Sequence, residues 1–297
     1  MNKKCIYLYS DILGYKDLIS KNSVQELKEI TESILTSIER LIEIESKKEH
    51  SILAKFSQFQ NPLKSGNIKL YFAFDTIVLY WEKFDSTFNW KEYDAFLNLV
   101  SIIYLELLTQ YGILIRGVIS ESENYFIDER IFIIKEIEKS YLVEKNQNWS
   151  NIIISLPGVY DITNPGLPMD DPYKKIECDN IPFKEEIWAF VNIQEKKRKY
   201  EELFVTPNLH IHVLNQINAT TVKYLNEHNI DIKKSIKNLN NVANSHEDEN
   251  ARIKIINTIR YIEERIRQYE WYTIDTNFID ENVKQLYEKL NTPHNNV

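Results

Sequence analysis

The chain of 297 residues has room for one large domain or two modest ones, and its 43% hydrophobic residues can form a substantial core. Its net charge of -8 argues against a general nucleic-acid-binding protein, and no apolar stretch approaches the ~20 residues that a membrane helix needs. Two cysteines are too few for a disulfide scaffold, and the acid at Asp11 comes too early for a signal peptide, so we expect a cytoplasmic protein.

The first 120 residues predict a regular alternation of strands and helices. In chain order we expect a strand at 5–11 and then a helix from Val24 to about Lys48, which begins with a Ser23–Glu26 capping box. A hairpin of strands 68–74 and 76–81 follows, with its tip at Asp75–Thr76. The last two elements are a helix at 92–111 that ends at Gly112 and a strand at 113–120. This β-α-β-β-α-β order is that of the split βαβ, or ferredoxin-like, unit, so the predicted fold class is α+β.

The rest of the chain predicts a smaller number of regular elements. We expect a helix at about 129–145, a strand at 151–155, an irregular stretch at 156–183, a possible strand at 186–193 and a polar, mostly helical part at 196–290. A first domain over residues 1–195 and a mainly helical C-terminal extension over residues 196–297 follow from this pattern. Isoleucines recur at helical spacing between 253 and 266, and they could either mediate dimerisation or pack back onto the first domain.

Two aspartates are placed where chemistry could occur. Asp11 ends the first predicted strand, and Asp75 lies at the predicted hairpin tip. In a ferredoxin-like sheet the first strand lies beside the hairpin, so the two carboxylates can converge on one face, where Mg²⁺ or Mn²⁺ would bind them together with phosphate oxygens. Gly14 allows the backbone after Asp11 to turn close to a triphosphate. Taken singly, each aspartate also fits a structural role, Asp11 as a helix cap and Asp75 as a turn residue.

Three motifs resemble those of class III nucleotide cyclases. SDILGY (10–15) resembles their first metal-binding motif, YFAFDT (71–76) their second, and IRGVIS (115–120) the strand that follows. Within the class the chain is most similar to the pyrimidine cyclases of the Pycsar anti-phage system, which carry Tyr or Arg at the base-selecting position where purine cyclases have Lys. That position is Tyr71 here, and Phe74 replaces the glycine that precedes the aspartate in purine cyclases. The likeness covers about residues 5–155.

The resemblance implies a set of metal-binding and catalytic residues. Asp11, Asp75 and the carbonyl group of Ile12 would hold two divalent ions, Mn²⁺ or Mg²⁺. Arg116 would lie near the nucleotide and neutralise charge that develops on the phosphate. The first domain would therefore be a nucleotide cyclase catalytic domain.

The resemblance also implies substrate contacts, a product and partners. Tyr71 would read the base, and Gly14, Tyr15 and Thr76 would contribute to substrate binding. The 3′-hydroxyl of UTP or CTP would attack the α-phosphate and give a 3′,5′-cyclic nucleotide. We expect cUMP in preference to cCMP, although the two pyrimidines present a similar ring and O2 edge and the sequence leaves both open. Two subunits would share each site in a homodimer, and the product would activate a partner effector; neither nucleic acid nor a membrane is expected as a partner.

Four positions depart from the family pattern. Glu138 and Leu142 stand nearest to where class III cyclases carry Asn and Arg, and Ser122 and Ile134 stand where relatives tend to have glycine. These departures leave a second hypothesis open, a degenerate cyclase-like module that senses nucleotides or scaffolds a partner. A purine cyclase is a third hypothesis, which Tyr71 makes less favourable because purine cyclases carry Lys there.

Overall fold

The computed structural model describes residues 3–46, 68–84, 90–127, 132–145, 147, 149–155, 212–214, 216–217 and 219–267. These residues form a mixed structure of strands and helices, which confirms the predicted α+β class. The irregular stretch predicted at 156–183, the strand predicted at 186–193 and the domain boundary predicted at residue 195 lie outside the described residues.

The strands form one six-stranded sheet and one small hairpin. They are β1 (Lys3–Ile12), β2 (Ile68–Ala73), β3 (Thr76–Phe84), β4 (Ile115–Ser122), β5 (Tyr125–Ile127), β6 (Phe132–Ile134), β7 (Ile152–Ser155) and β8 (His212–Val213). The order in the large sheet is β2-β3-β1-β4-β7-β8, with β4 and β7 parallel and all other neighbours antiparallel. β5 and β6 pair with each other.

The helices of the described part lie between and after these strands. They are α1 (Tyr15–Lys21), α2 (Val24–Ser46), α3 (Trp90–Tyr111), α4 (Ile137–Lys145), α5 (Ala219–Glu227), α6 (Ile232–Ser245) and α7 (249–267). None of the helices in these ranges is long and apolar enough to cross a membrane.

The predicted alternation of the first 120 residues is confirmed, together with two of its end signals. The backbone N–H of Ser23 donates to Glu26 Oε2 at 2.7 Å and the N–H of Glu26 donates to Ser23 Oγ at 3.3 Å, which is the predicted capping box. Gly112 follows α3 with a φ of 65°, the left-handed conformation that ends helices.

The helix predicted at 129–145 is wrong in its first part. The small β5–β6 hairpin precedes the helix, which begins only at Ile137. The aromatic and β-branched residues of β5 and β6 alternate between a buried and an exposed side, and Ile134 is buried against Cys5, Tyr7 and Tyr80 of the large sheet. This contact with distant strands outweighs the local helical pattern.

The large sheet is covered on both faces. One face of β1, with Ile6, Leu8 and Ile12, belongs to the main core beneath α2 and α3. The other face, with Cys5 and Tyr7, forms a second core beneath β5, β6 and α4.

Most of the isoleucine stripe of α7 packs in or against the main core, whereas Ile253 at its start is 43% exposed. Ile255, Ile259 and Ile262 are each at most 5% exposed within this core. Of the two roles left open by the sequence, packing back onto the rest of the chain is therefore the one that the structure shows.

The β2–β3 hairpin turns one residue earlier than predicted. Ala73 pairs with Thr76, so the turn consists of Phe74 and Asp75, and Thr76 is the first residue of β3. Phe74 has a φ of 56°, in the left-handed region that two-residue hairpin turns usually fill with glycine. Its side chain is 83% exposed, so it gains little packing energy to offset the energetic cost of this backbone conformation.

We expect Phe74→Gly to raise the free energy of unfolding by about 0.5–1 kcal/mol. Glycine avoids the Cβ clash that costs other residues ~1–2 kcal/mol in this region, and the larger entropy of glycine in the unfolded chain offsets part of the gain. Urea denaturation measures the change. Phe126→Gly, at an exposed strand position without positive φ, is the matched control and should lower stability. A Phe74→Gly protein no more stable than the wild type would contradict the assignment of strain.

Candidate active site

The end of β1 and the β2–β3 turn bring Asp11 and Asp75 together. Asp11 pairs with Thr76, the residue directly after Asp75. The backbone N–H of Ile12 donates to the carbonyl oxygen of Asp75 at 2.8 Å, which ties the turn to the end of β1. The Thr76 hydroxyl donates to Asp75 Oδ1 at 3.4 Å. Two carboxylates from separate parts of the sequence therefore lie at one end of the sheet.

Arg116 connects Asp11 to a third carboxylate. It pairs with Asp11 across β1 and β4, and its Nη2 donates to Asp11 Oδ2 at 3.2 Å. Its Nε forms an ion pair with Oε1 of Glu144, a residue of α4. The side chains of Asp11, Arg116 and Glu144 are 20%, 12% and 3% exposed, so this row of charges is largely screened from water.

Glu144 was not found by sequence reasoning. It enters the site only because α4 packs against β4 and β1, a contact between parts of the chain that lie far apart in sequence. No motif at 137–145 marks it, and the resemblance directs attention to Glu138 and Leu142 instead. Both of these are exposed on α4.

Burial dominates the electrostatics of the two carboxylates that Arg116 contacts. It raises the pKa of Asp11 to about 6, with a further rise from Asp75 and a partial opposing effect of Arg116. Burial also raises the pKa of Glu144 to about 7, again opposed by Arg116. A carboxylate whose charge is this poorly solvated gains from binding a cation, because the cation favours the charged form.

Tyr71 lies on the same face of the sheet as Asp11. It pairs with Val78 in β3, Val78 pairs with Tyr9 in β1, and Tyr9 is two residues before Asp11. Two strand spacings and two residues along the strand separate the Cα atoms of Tyr71 and Asp11 by about 12 Å. The Tyr71 ring stacks on Phe132 of β6, with centroids 5.4 Å apart, and it remains 38% exposed.

Tyr9 is a further residue of this face that sequence reasoning missed. It is half-buried beside the β6 hairpin, and its hydroxyl interacts with the side chain of Thr76. Burial and, second, the charge of Glu144 raise its pKa. The signal was present in the sequence, since a residue two before Asp11 in a strand shares its face.

The remaining predicted residues near Asp11 have visible backbone or core roles. Gly14 has a φ of 81° and immediately precedes α1, which fits the predicted turn after Asp11. The side chains of Ile12 and Tyr15 pack in or against the main core, so only the backbone of Ile12 remains for a metal.

Two of the departures from the family pattern fill structural positions. The hydroxyl of Ser122 donates to Glu136 and accepts from the N–H of Asn124 at 3.0 Å. Ile134 is a buried member of the second core. Glycine at either position would remove these contacts.

The donor set fits a divalent cation that shares its ligands with a substrate. Across the ranges given above, no three His, Cys, Asp or Glu side chains are grouped so that they could hold a metal by themselves. Asp11 and Asp75 together are two carboxylates, and Mg²⁺ is commonly bound by one or two carboxylates plus the phosphates of a nucleotide. The pair therefore suits a metal that arrives with a phosphorylated substrate.

A cavity of about 470 Å³ lies elsewhere, between α2, α3 and α5. Arg40, Glu106 and Tyr224 are among its lining residues, and the Tyr224 hydroxyl donates to Glu106 at 2.5 Å. None of the predicted site residues lines it. It is separate from the two aspartates.

Comparisons with known proteins give a weak similarity at the level of structure and none at the level of sequence. No protein-family model matches the sequence, and no curated protein matches it at a significant level. Among solved structures, the chain is similar to the crystal structure of the adenylyl cyclase CyaB from P. aeruginosa, with 17% identity and a TM-score of 0.35. The similarity covers 52% of this chain and 76% of that chain. A similarity of this strength does not transfer an activity, so we infer function from the geometry around Asp11 and Asp75.

Proposed function

We propose that this protein is a divalent-cation-dependent nucleotide cyclase that makes a 3′,5′-cyclic pyrimidine nucleotide, cUMP in preference to cCMP, and pyrophosphate. The observation that carries the proposal is that Asp11 and Asp75 lie next to each other, beside Arg116, at one end of the sheet. The likeness of SDILGY and YFAFDT to the metal-binding motifs of class III cyclases supports it from the sequence.

In the proposed reaction, the ribose 3′-oxygen forms a bond to the α-phosphorus and the bond from this phosphorus to pyrophosphate breaks. The proton of the 3′-hydroxyl leaves to water. Divalent ions held by Asp11, Asp75 and the Ile12 carbonyl would supply activation of the 3′-hydroxyl and neutralisation of the phosphate charge.

Arg116 would act beside these ions as a fixed positive charge. Its Nη1 is buried and has no hydrogen-bond partner among the residues that the structure describes. A buried N–H group without a partner is costly, and a phosphate oxygen is a strong acceptor for it.

The test is an assay of purified protein with each of the four nucleoside triphosphates and Mn²⁺. Mass spectrometry for cyclic products and detection of pyrophosphate should show turnover with UTP above CTP, and little with ATP or GTP. Absence of product from all four substrates would overturn the proposal, and a cyclic purine product would replace it with a purine cyclase.

Tyr71 carries the proposed base preference. A phenol can donate to a pyrimidine carbonyl oxygen, and its bulk shortens the space for a two-ring base. We expect Tyr71→Phe to lower pyrimidine turnover, because it removes the hydroxyl that would bind the base, and Tyr71→Ala to weaken the rejection of purines by about tenfold or more, because it removes the bulk that shortens the base site. A competition assay with all four triphosphates measures the product ratios.

The control for Tyr71 addresses its stacking on Phe132. Phe132→Leu removes the stacking partner but leaves the hydroxyl of Tyr71 in place. This variant should keep the pyrimidine preference. Product ratios that do not change in either Tyr71 variant would remove Tyr71 from the site.

The proposal includes a homodimer with shared sites and a cyclic-nucleotide-activated effector that responds in anti-phage signalling. Phe126 and Ile133 support the dimer, because they pair on the β5–β6 hairpin and are both more than half exposed. If Tyr71 of one subunit serves the aspartates of the other, mixing Asp75→Asn and Tyr71→Ala proteins should raise pyrimidine turnover above that of either protein alone through hybrid dimers. A monomer with full activity would contradict this part of the proposal.

A degenerate nucleotide-sensing or scaffolding module is the second candidate. The ion pair between Arg116 and Asp11 favours this alternative, because Arg116 occupies a carboxylate that the cyclase proposal assigns to a metal ion. Nucleotide binding in calorimetry without any cyclic product would identify this alternative.

A further inference from the structure

The Arg116 guanidinium is shared between two carboxylates that have different roles in the proposed site. Its Nη2 donates to Asp11, and its Nε pairs with Glu144. Asp11 is a proposed cation ligand, whereas Glu144 is 3% exposed on α4 and contacts a different nitrogen of the guanidinium.

A cation bound to Asp11 would change which carboxylate pairs with Arg116. The guanidinium and a divalent cation are both positive and would compete for the same carboxylate. Glu144 is then the anionic partner that remains for Arg116. Since α4 packs against β4 and β1, Glu144 is held in place whether or not Asp11 is taken by a cation.

We propose that Glu144 is a positioning residue that keeps Arg116 in the site when a divalent cation binds Asp11, and that it thereby sets the cation affinity. The proposal rests on the proposed function, because it assumes that Asp11 is a cation ligand. With Arg116 held by Glu144 through Nε, its Nη1 and Nη2 groups are available for a phosphate oxygen.

Without Glu144, Asp11 is the one carboxylate in contact with Arg116 among the described residues. Displacement of the guanidinium by a cation then leaves a buried positive charge unpaired, which is costly. Cation binding at Asp11 must therefore be weaker when residue 144 cannot reach Arg116.

The experiment is a titration of the full-length protein with Mn²⁺ alone, in which electron paramagnetic resonance measures free Mn²⁺. We expect Glu144→Gln and Glu144→Asp each to weaken Mn²⁺ binding about tenfold. Glu144→Asp is the sharper variant, because it keeps the charge but shortens the reach to Arg116. In an Arg116→Lys background, Glu144→Asp should change the affinity less than about twofold, since lysine lacks the fork that joins the two carboxylates.

Glu138→Gln is the matched control, an exposed acid on the same helix, and it should bind Mn²⁺ like the wild type. Circular dichroism shows which variants are folded, and Glu144→Asp keeps the test available if Glu144→Gln does not fold. Wild-type affinity in Glu144→Asp, or an equal loss in the Arg116→Lys background, would overturn the role of Glu144. Absence of Mn²⁺ binding to the wild type would instead overturn the cation site of the proposed function.

Discussion

Replacing either Asp11 or Asp75 with asparagine is expected to lower cyclic-nucleotide production by about 10²–10³-fold. Each substitution removes one of the two anionic ligands that the site offers and changes the side-chain shape little. The measurement is the initial rate of cyclic product with Mn²⁺ at saturating substrate. Glu39→Gln, an exposed carboxylate-to-amide change on α2, is the control and should keep full activity. Near-wild-type turnover in either aspartate variant would show that the pair does not hold the metal.

The same Asp11→Asn change should make the metal-free protein more stable at neutral pH. Burial raises the pKa of Asp11 from 3.8 in an ordinary environment to about 6 in the folded protein. The folded state therefore binds this proton more tightly than the unfolded chain, so its contribution to stability is complete below pH 3.8 and is lost as the pH rises through about 6. Glu144, with its pKa raised to about 7, acts in the same direction.

Asparagine at position 11 removes the cost of burying this charge. The gain at pH 7.5 should be on the order of 1–3 kcal/mol in the free energy of unfolding. Denaturation of wild type and Asp11→Asn between pH 4 and 8 measures it. The decline of stability with pH should be shallower in the variant, and equal slopes would contradict the burial of an unfavourable charge at Asp11.

The second large effect concerns Gly117, the residue after Arg116. A Cβ atom on Gly117 would lie 2.2 Å from the carbonyl oxygen of Tyr9 and 2.7 Å from Cβ of Ser10, both in the neighbouring strand β1. Backbone atoms inside a sheet cannot move aside without separating the strands. We expect Gly117→Ala to lower the free energy of unfolding by about 3 kcal/mol or more.

Gly112→Ala is the matched control for Gly117→Ala. Gly112 has a positive φ but no heavy atom within 4 Å of its Cβ position, so alanine there should cost only the backbone strain, about 1 kcal/mol. Urea denaturation of both variants compares the two costs. A Gly117→Ala protein as stable as Gly112→Ala would show that β4 and β1 can separate at this point. Because Arg116 and Asp11 pair across the same two strands, Gly117→Ala should also reduce activity.

Most of the elements that carry the site could be predicted from local sequence. The Ser23–Glu26 capping box and Gly112 marked helix ends through contacts within a few residues, and both signals are observed. Short runs of apolar, aromatic and β-branched residues located the strands that bear Asp11 and Arg116 and the two strands on either side of Asp75. Local information was insufficient at Phe74, where pairing across the hairpin moved the turn by one residue and imposed a positive φ on an aromatic side chain.

The sequence by itself determined where the strand that carries Asp11 lies and that another strand begins after Asp75, because short apolar runs rich in aromatic and β-branched residues indicate buried strands. Only the tertiary structure decided which charges and rings surround these aspartates. Glu144 reaches Arg116 because α4 packs on β4 and β1, and Phe132 reaches Tyr71 because β6 packs on the second core. Each contact joins residues 28 or more positions apart, and no local period encodes such a pairing, since it depends on how the elements minimise exposed apolar surface together.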